Sequence, residues 1–210
     1  MSSTSRRAPK GASQASVDHF SQIAWLRPTL DDENFKIIPE NRTVTNDGHG
    51  HTLMGKTWNT DSTITALLSF WRPPPRSVPK DITQLPLPMP ESDRAEVRRF
   101  YTLGPDLNAH PDLLHGGVIS CLLDSGLGGC VGMLMAHSRE ANPMFTVQLN
   151  VTYKKPIKTP GTVLLRAWVV KVAEGGRKVW AEGVIEGEGG VLHAKAEGMW
   201  LRAGAKKEKL

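Results

Sequence analysis

One carboxylate, Asp124, interrupts an otherwise uncharged run from Val118 to Met135. Nine residues before it stands His115, followed by Gly116 and Gly117, in the stretch LLHGGVISCLLDSGLGG. A positioned carboxylate can take a proton from water or attack an electrophilic carbon itself. Two glycines at the start of a helix let the chain turn in and leave backbone N–H groups open. Those groups carry the partial positive charge that suits a developing anion. The neighbours of Asp124 at helical spacing are Ser120, Cys121, Leu127 and Gly128, and none is cationic. A poorly solvated carboxylate without a partner costs free energy. In a helix that is otherwise apolar all round, this argues for a working acid rather than an ordinary surface aspartate.

Other chemistries fit less well. Cys121 and Cys130 are nine residues apart, about 13 Å on one helix, too far to bond to each other. They read as small buried hydrophobes in a reducing compartment. No CxxC or HExxH spacing occurs, and His49 and His51 have no third ligand nearby, so neither a metal nor a bound cofactor is expected. The net charge is +5, but the basic residues fall in short pieces such as Arg98-Arg99 and Lys154-Lys155 rather than in a stripe, so nucleic acid is not an expected partner. No uninterrupted apolar run reaches transmembrane length, so no membrane is expected either. Residues 1–16 lack acids and are rich in Ser, Ala and Arg, the bias of a mitochondrial presequence. No large apolar residue stands between Met1 and Val17, however, to build an amphipathic helix. A cytoplasmic protein is expected, with the mitochondrion as the alternative.

The surrounding pattern supplies elements to position the acid. Residues 1–16 read as a disordered tail. Residues 17–50 read as a helical extension, with Phe20, Ile23 and Ala24 at helical spacing until Pro28 breaks the pattern and 36–50 loop-like. Residues 51–71 read as two strands with a turn near Asn59–Asp61. Seven prolines between Pro73 and Pro90 exclude a helix or central strand there. Residues 95–104 are a strand candidate. Phe145, Val147, Leu149, Val151 and Tyr153 alternate with polar residues, predicting a strand with one buried face. Three further strands, at 162–172, 177–187 and 191–203, are separated by Gly-Gly turns and predict an antiparallel meander. Residues 204–210 read as a frayed tail. The expected class is α+β: one long central helix wrapped by a curved antiparallel sheet of about six strands, over residues 51–203.

HGGVISCLLDSGLGG followed by FTVQLNVTYKKPI resembles the hotdog-fold acyl-CoA thioesterases, closest to the group of phenylacetate-pathway thioesterases and thioesterase superfamily members 4 and 5. The resemblance covers roughly residues 50–203. It implies hydrolysis of an acyl-CoA without metal or cofactor. Asp124 would activate water or attack the thioester, and Thr146 would help to place the water or substrate. A backbone N–H at Gly116, with Gly117 next to it, would polarise the carbonyl, and His115 would fix that turn. By the same resemblance Thr152, Lys154, Arg177 and Lys178 meet the coenzyme A phosphates, and Asn108 orients the carbonyl. The stretch after Asp124, the proline-rich segment and the N-terminal 35 residues depart from the group's pattern, which leaves the acyl chain open.

Gly116 and Asp124 lie eight residues apart, about 12 Å along a helix. A base and an oxyanion donor must both reach one carbonyl. Two antiparallel helices across a dimer axis meet that requirement, so a homodimer or a dimer of dimers is expected. Two other readings stay open: a non-catalytic acyl-CoA sensor, and a hotdog dehydratase or hydratase.

Overall fold

The computed structural model describes residues 7–39, 42–45, 47–138 and 143–203. The remaining parts of the two expected tails, residues 1–6 and 204–210, lie outside the described residues. Helix α1 (Gln14–Ser21) takes in the last three residues of the stretch expected as tail, because Ser13 caps it by accepting the Ser16 N–H. Pro28 does not end this region. It sits in the first turn of a short helix, α2 (Arg27–Leu30), where its missing N–H has no cost.

Strand β1 (Lys36–Ile38) follows, then β2 (Ile64–Arg72) and β3 (Glu96–Leu103). The expected strand near residue 51 is instead one helical turn, Leu53–Thr57. Leu53 and Met54 are adjacent apolar residues rather than alternating ones, which suits a turn. A short ribbon, β4 (Asn108–His110) and β5 (Leu113–Leu114), leads into helix α3 (Gly116–His137). Then come β6 (Met144–Tyr153), β7 (Gly161–Ala173), β8 (Lys178–Gly187) and β9 (Val191–Arg202).

The main sheet has seven antiparallel strands in the order β1-β2-β3-β7-β8-β9-β6, one more than expected. The addition is β1, from the segment read as loop-like, paired to β2. By length and composition α3 would suit a membrane. Its apolar surface is taken up by the sheet instead: Leu122, Leu123, Leu127 and Val131 are fully buried against it. The contact is close. A Cβ at Gly126 of α3 would run into Leu165 of β7, and one at Gly183 of β8 would run into Leu127. The helical glycines trade intrinsic helix propensity for this approach.

The opposite face of the sheet is covered too. Val17, Phe20, Leu26, Leu30 and Phe35 pack on Leu68, Phe70 and Phe100 as a second core. Hence β2 reads as a continuous apolar run rather than an alternating one. Val17 is fully buried there. Val17→Ala is expected to cost about 2 kcal/mol in a urea titration. An unchanged midpoint would show that the extension adds nothing to the fold.

Under the same extension lies an ionic cluster. Glu96 is wholly buried and accepts from Arg98 Nε at 2.7 Å, Arg166 Nε at 2.8 Å, Arg72 Nη2 at 3.0 Å and Arg94 Nε at 3.3 Å. Arg98 also donates to Thr29 Oγ1 at 2.7 Å and lies over the Phe35 ring. Burial pushes the Glu96 carboxyl up, but the Arg166 hydrogen bond and the charges of Arg98 and Arg166 outweigh it and hold the group at about 2.

Candidate active site

The start of α3 is held from both sides. His115 is its N-cap, and its Nδ1 accepts the Gly117 N–H at 2.8 Å. The Tyr153 hydroxyl donates to the Gly116 carbonyl at 3.1 Å and lies 2.7 Å from Ser120 Oγ. The Gly117 N–H is therefore used, whereas the Gly116 N–H has no acceptor among the described residues. Within this turn, Gly116 is the donor left open to a ligand.

Two turns on, Asp124 is half-buried, and its Oδ1 accepts from Thr146 Oγ1 at 2.9 Å. Strict alternation along β6 would turn Thr146 away from Leu149. A β-bulge prevents this. Thr146 pairs with Trp200 and Gln148 with Met199, so Val147 is an extra residue. The bulge shifts the register by one and puts Met144 and Thr146 on the helix side with Leu149. It also corrects the expectation of one buried apolar face: Phe145, Val147 and Tyr153 are 59%, 53% and 52% exposed. They lie on an edge strand that has no partner strand on its outer side among the described residues.

Asp124 and Thr146 open into a cleft of about 690 Å³, with Leu53, Met54, Met144, Leu149 and Trp200 as its apolar walls. That size and lining suit a small-molecule chain. Cys121 lines the same cleft, and burial and the neighbouring Asp124 both push its thiol up, which disfavours a thiolate nucleophile. Burial pushes Cys130 up to about 12. Among the described residues no group of three or more His, Cys, Asp or Glu side chains is arranged to hold a metal. His51, Tyr153 and Ser120 went unassigned from the sequence. Only Tyr153 had a signal, its place in the Tyr-Lys strand.

The outer candidates do not converge within one chain. Thr152 and Lys154 are exposed at the far end of β6, at the level of Lys195 and Ala194. Lys178 sits opposite Leu201, which pairs with Phe145 at the near end. The nine residues from Phe145 to Lys154 span about 30 Å of strand. Arg177 and Lys178 are also both engaged by Glu174, at 3.0 and 2.6 Å. Asn108 is half-buried, and its Oδ1 accepts a short hydrogen bond from Thr159 Oγ1, which ties the ribbon before α3 to the connection between β6 and β7.

A helix laid across a curved antiparallel sheet, with an acid at mid-helix facing an edge strand, defines a hotdog fold. A family model described as the thioesterase superfamily matches residues 112–175, the segment carrying His115, Asp124, Thr146 and Lys154. Over those residues the chain is similar to that superfamily. Acyl-coenzyme A thioesterase THEM4 of Bos taurus is 28% identical over 105 residues, 50% of this chain and 40% of that protein. Verlamelin biosynthesis protein B of Lecanicillium sp is 25% identical over 213 residues, 90% of this chain and 88% of that protein. An uncharacterized mitochondrial protein of Candida albicans is 33% identical over 101 residues, 48% of this chain and 43% of that protein. The chain thus spans less than half the length of two of these three relatives. The solved zebra fish thioesterase superfamily member 2 aligns with a TM-score of 0.46 at 21% identity, covering 52% of this chain and 75% of that one.

Thr146→Ala is expected to lower kcat about 10- to 100-fold, the worth of one hydrogen bond to a charged group. Thiol release by the purified variant reads this directly, and a wild-type kcat would remove Thr146 from the site.

Proposed function

We propose that this protein hydrolyses an acyl-coenzyme A thioester to the free acid and coenzyme A. The observation that carries the reading is the Thr146–Asp124 hydrogen bond at the mouth of an apolar cleft. Thr146 donates its hydroxyl hydrogen bond to Oδ1, so its own oxygen can accept from a water while Oδ2 takes that water's proton. The water oxygen bonds to the thioester carbon, and the carbonyl oxygen becomes an oxyanion. Collapse breaks the C–S bond, and the proton held by Asp124 passes to the departing thiolate. The same position also allows Asp124 to attack the carbon directly.

The oxyanion needs a donor, and Gly116 of the same chain is about 12 Å away along α3. A second copy, running antiparallel along the open edge of β6, would bring its own Gly116 toward Asp124. It would also bring the Lys154 end of one β6 beside the Arg177 and Lys178 end of the other, so the phosphate contacts would gather into one patch. The exposed Phe145, Val147 and Tyr153 on that edge support such pairing. A homodimer or a dimer of dimers is therefore the working assembly. Sedimentation is expected to give at least twice the mass of one chain, and full activity at single-chain mass would end this reading. For the compartment, the cytoplasm is the first assignment, and the Ser, Ala and Arg bias of residues 1–16 fits the mitochondrial alternative. The mitochondrial relative supports the alternative.

The direct test is free-thiol release from a panel of short, long and aryl acyl-CoAs. Turnover of at least one member is expected. Silence across the panel, with coenzyme A bound, would favour a sensor.

A further inference from the structure

We infer that the cleft accepts acyl chains that carry a second, anionic group, and that Arg99 receives that carboxylate. The choice of a thioester rests on the function proposed above; the carboxylate is argued from Arg99 itself.

Arg98 and Arg99 are neighbours on β3 and point to opposite faces of the sheet. Arg98, with Arg72, Arg94 and Arg166, surrounds Glu96. Arg99 faces α3, is 6% exposed, and forms no ion pair among the described residues. Its Nη1 donates to Ser125 Oγ at 2.7 Å and, at 3.4 Å, to the Tyr101 hydroxyl. Its Nε is buried without an acceptor. Ser69 lies directly across from Arg99 on β2, so the two side chains share a face of the sheet. Ser69 is 1% exposed, and its Oγ also lacks a partner. Two unpartnered polar groups therefore adjoin beneath the helix, where most such groups in folded proteins are paired.

This cluster borders the cleft. Ser125, which holds Nη1, lines it, and so does Gly129. A Cβ at Gly129 would collide with Arg99 Nη2, so the guanidinium lies directly behind the bare backbone of Gly129, one layer beneath the cleft wall. A buried cation without a counter-charge is costly, and a carboxylate matches the guanidinium fork. Asp124 and Gly129 are five residues apart, about 7.5 Å along the helix. A thioester carbon at Asp124 and a carboxylate at Arg99 thus belong to one short or medium chain.

The test compares non-hydrolysable thioethers of coenzyme A in calorimetry: S-(5-carboxypentyl)-coenzyme A against S-hexyl-coenzyme A. Wild type is expected to bind the carboxylate form at least about tenfold more tightly, the usual worth of a charge-assisted hydrogen bond. The ratio is expected to fall toward one in Arg99→Met and to shrink in Gly129→Ala, where the added Cβ displaces the guanidinium. A hexyl form that binds as well as the carboxylate form, no binding of either, or a ratio unchanged in Arg99→Met overturns the inference. If Arg99→Met does not fold, the wild-type ratio and Gly129→Ala decide. Turnover of adipoyl-CoA and hexanoyl-CoA is read separately. A binding preference without turnover of either thioester refutes hydrolysis and keeps the anionic subsite. Hydrolysis of hexanoyl-CoA without a preference does the reverse.

Discussion

Asp124→Asn is expected to lower kcat by about 10³-fold while the protein stays folded and keeps its assembly, in line with the worth of a positioned general base. Asparagine has the same shape, and its Oδ1 can still accept from Thr146, so the cleft keeps its geometry. What disappears is the second carboxylate oxygen as a proton acceptor. Because that oxygen acts on the water only as the carbon is attacked, kcat and kcat/KM should fall together, with little change in KM. The neighbouring Cys121 does not replace it: its thiol is pushed up by burial and by Asp124 itself, and Cys121→Ala in the Asp124→Asn background controls for any relief of that push. Thiol release by wild type and variant, beside thermal unfolding and native mass of each, measures every part of the claim. Retention of turnover within about tenfold would remove Asp124 from the chemistry.

The second large effect is on stability. Removing the Glu96 carboxylate leaves Arg72, Arg94, Arg98 and Arg166 crowded without their shared counter-charge. Breaking a buried pair by removing one partner typically costs about 3–5 kcal/mol. Glu96→Gln, similar in size, isolates the charge. The sign of the pH dependence follows from the depressed native value. Glu96 titrates near 2 in the folded chain and near the ordinary 4.5 when unfolded. Its stabilisation is fully present above about 4.5 and is lost as the pH falls toward about 2. The difference of about 2.5 pH units corresponds to about 3 kcal/mol. Urea titrations at pH 7, 4 and 3 should therefore show the gap between wild type and Glu96→Gln narrowing as the pH drops. A gap independent of pH would mean that shape, not charge, accounts for the loss.

Much of the site was legible in the residues. The carboxylate stood out because nothing else between Val118 and Met135 is charged. The Gly-Gly entry to the helix and the Gly-Gly turns of the meander rest on local backbone geometry, which sequence reports well. The strands β7, β8 and β9 lie where the Gly-Gly turns between them divide the chain. Local signals failed where distant parts of the chain decide. Residues 36–38 join the sheet because β2 offers an edge. Residues 53–57 coil because the strand expected there has no alternating face to present. That the apolar side of the N-terminal extension roofs the outer face of the sheet could not be read from spacing. Arg98 and Arg99 looked like one basic pair; only the sheet sends one to Glu96 and the other under the helix.

The sequence by itself determined the fold class and the candidate groups: an apolar helix with one acid, a Gly-Gly entry at its start, and a run of strands to carry them. Those are properties of residues and their near neighbours, set by periodicity, glycine placement and charge. Tertiary structure decided where the candidate groups meet. Period two along β6 would have turned Thr146 away from Leu149; the one-residue bulge against β9 turns it toward Asp124. A bulge is a mismatch in length between two paired strands, and neither strand carries that count alone.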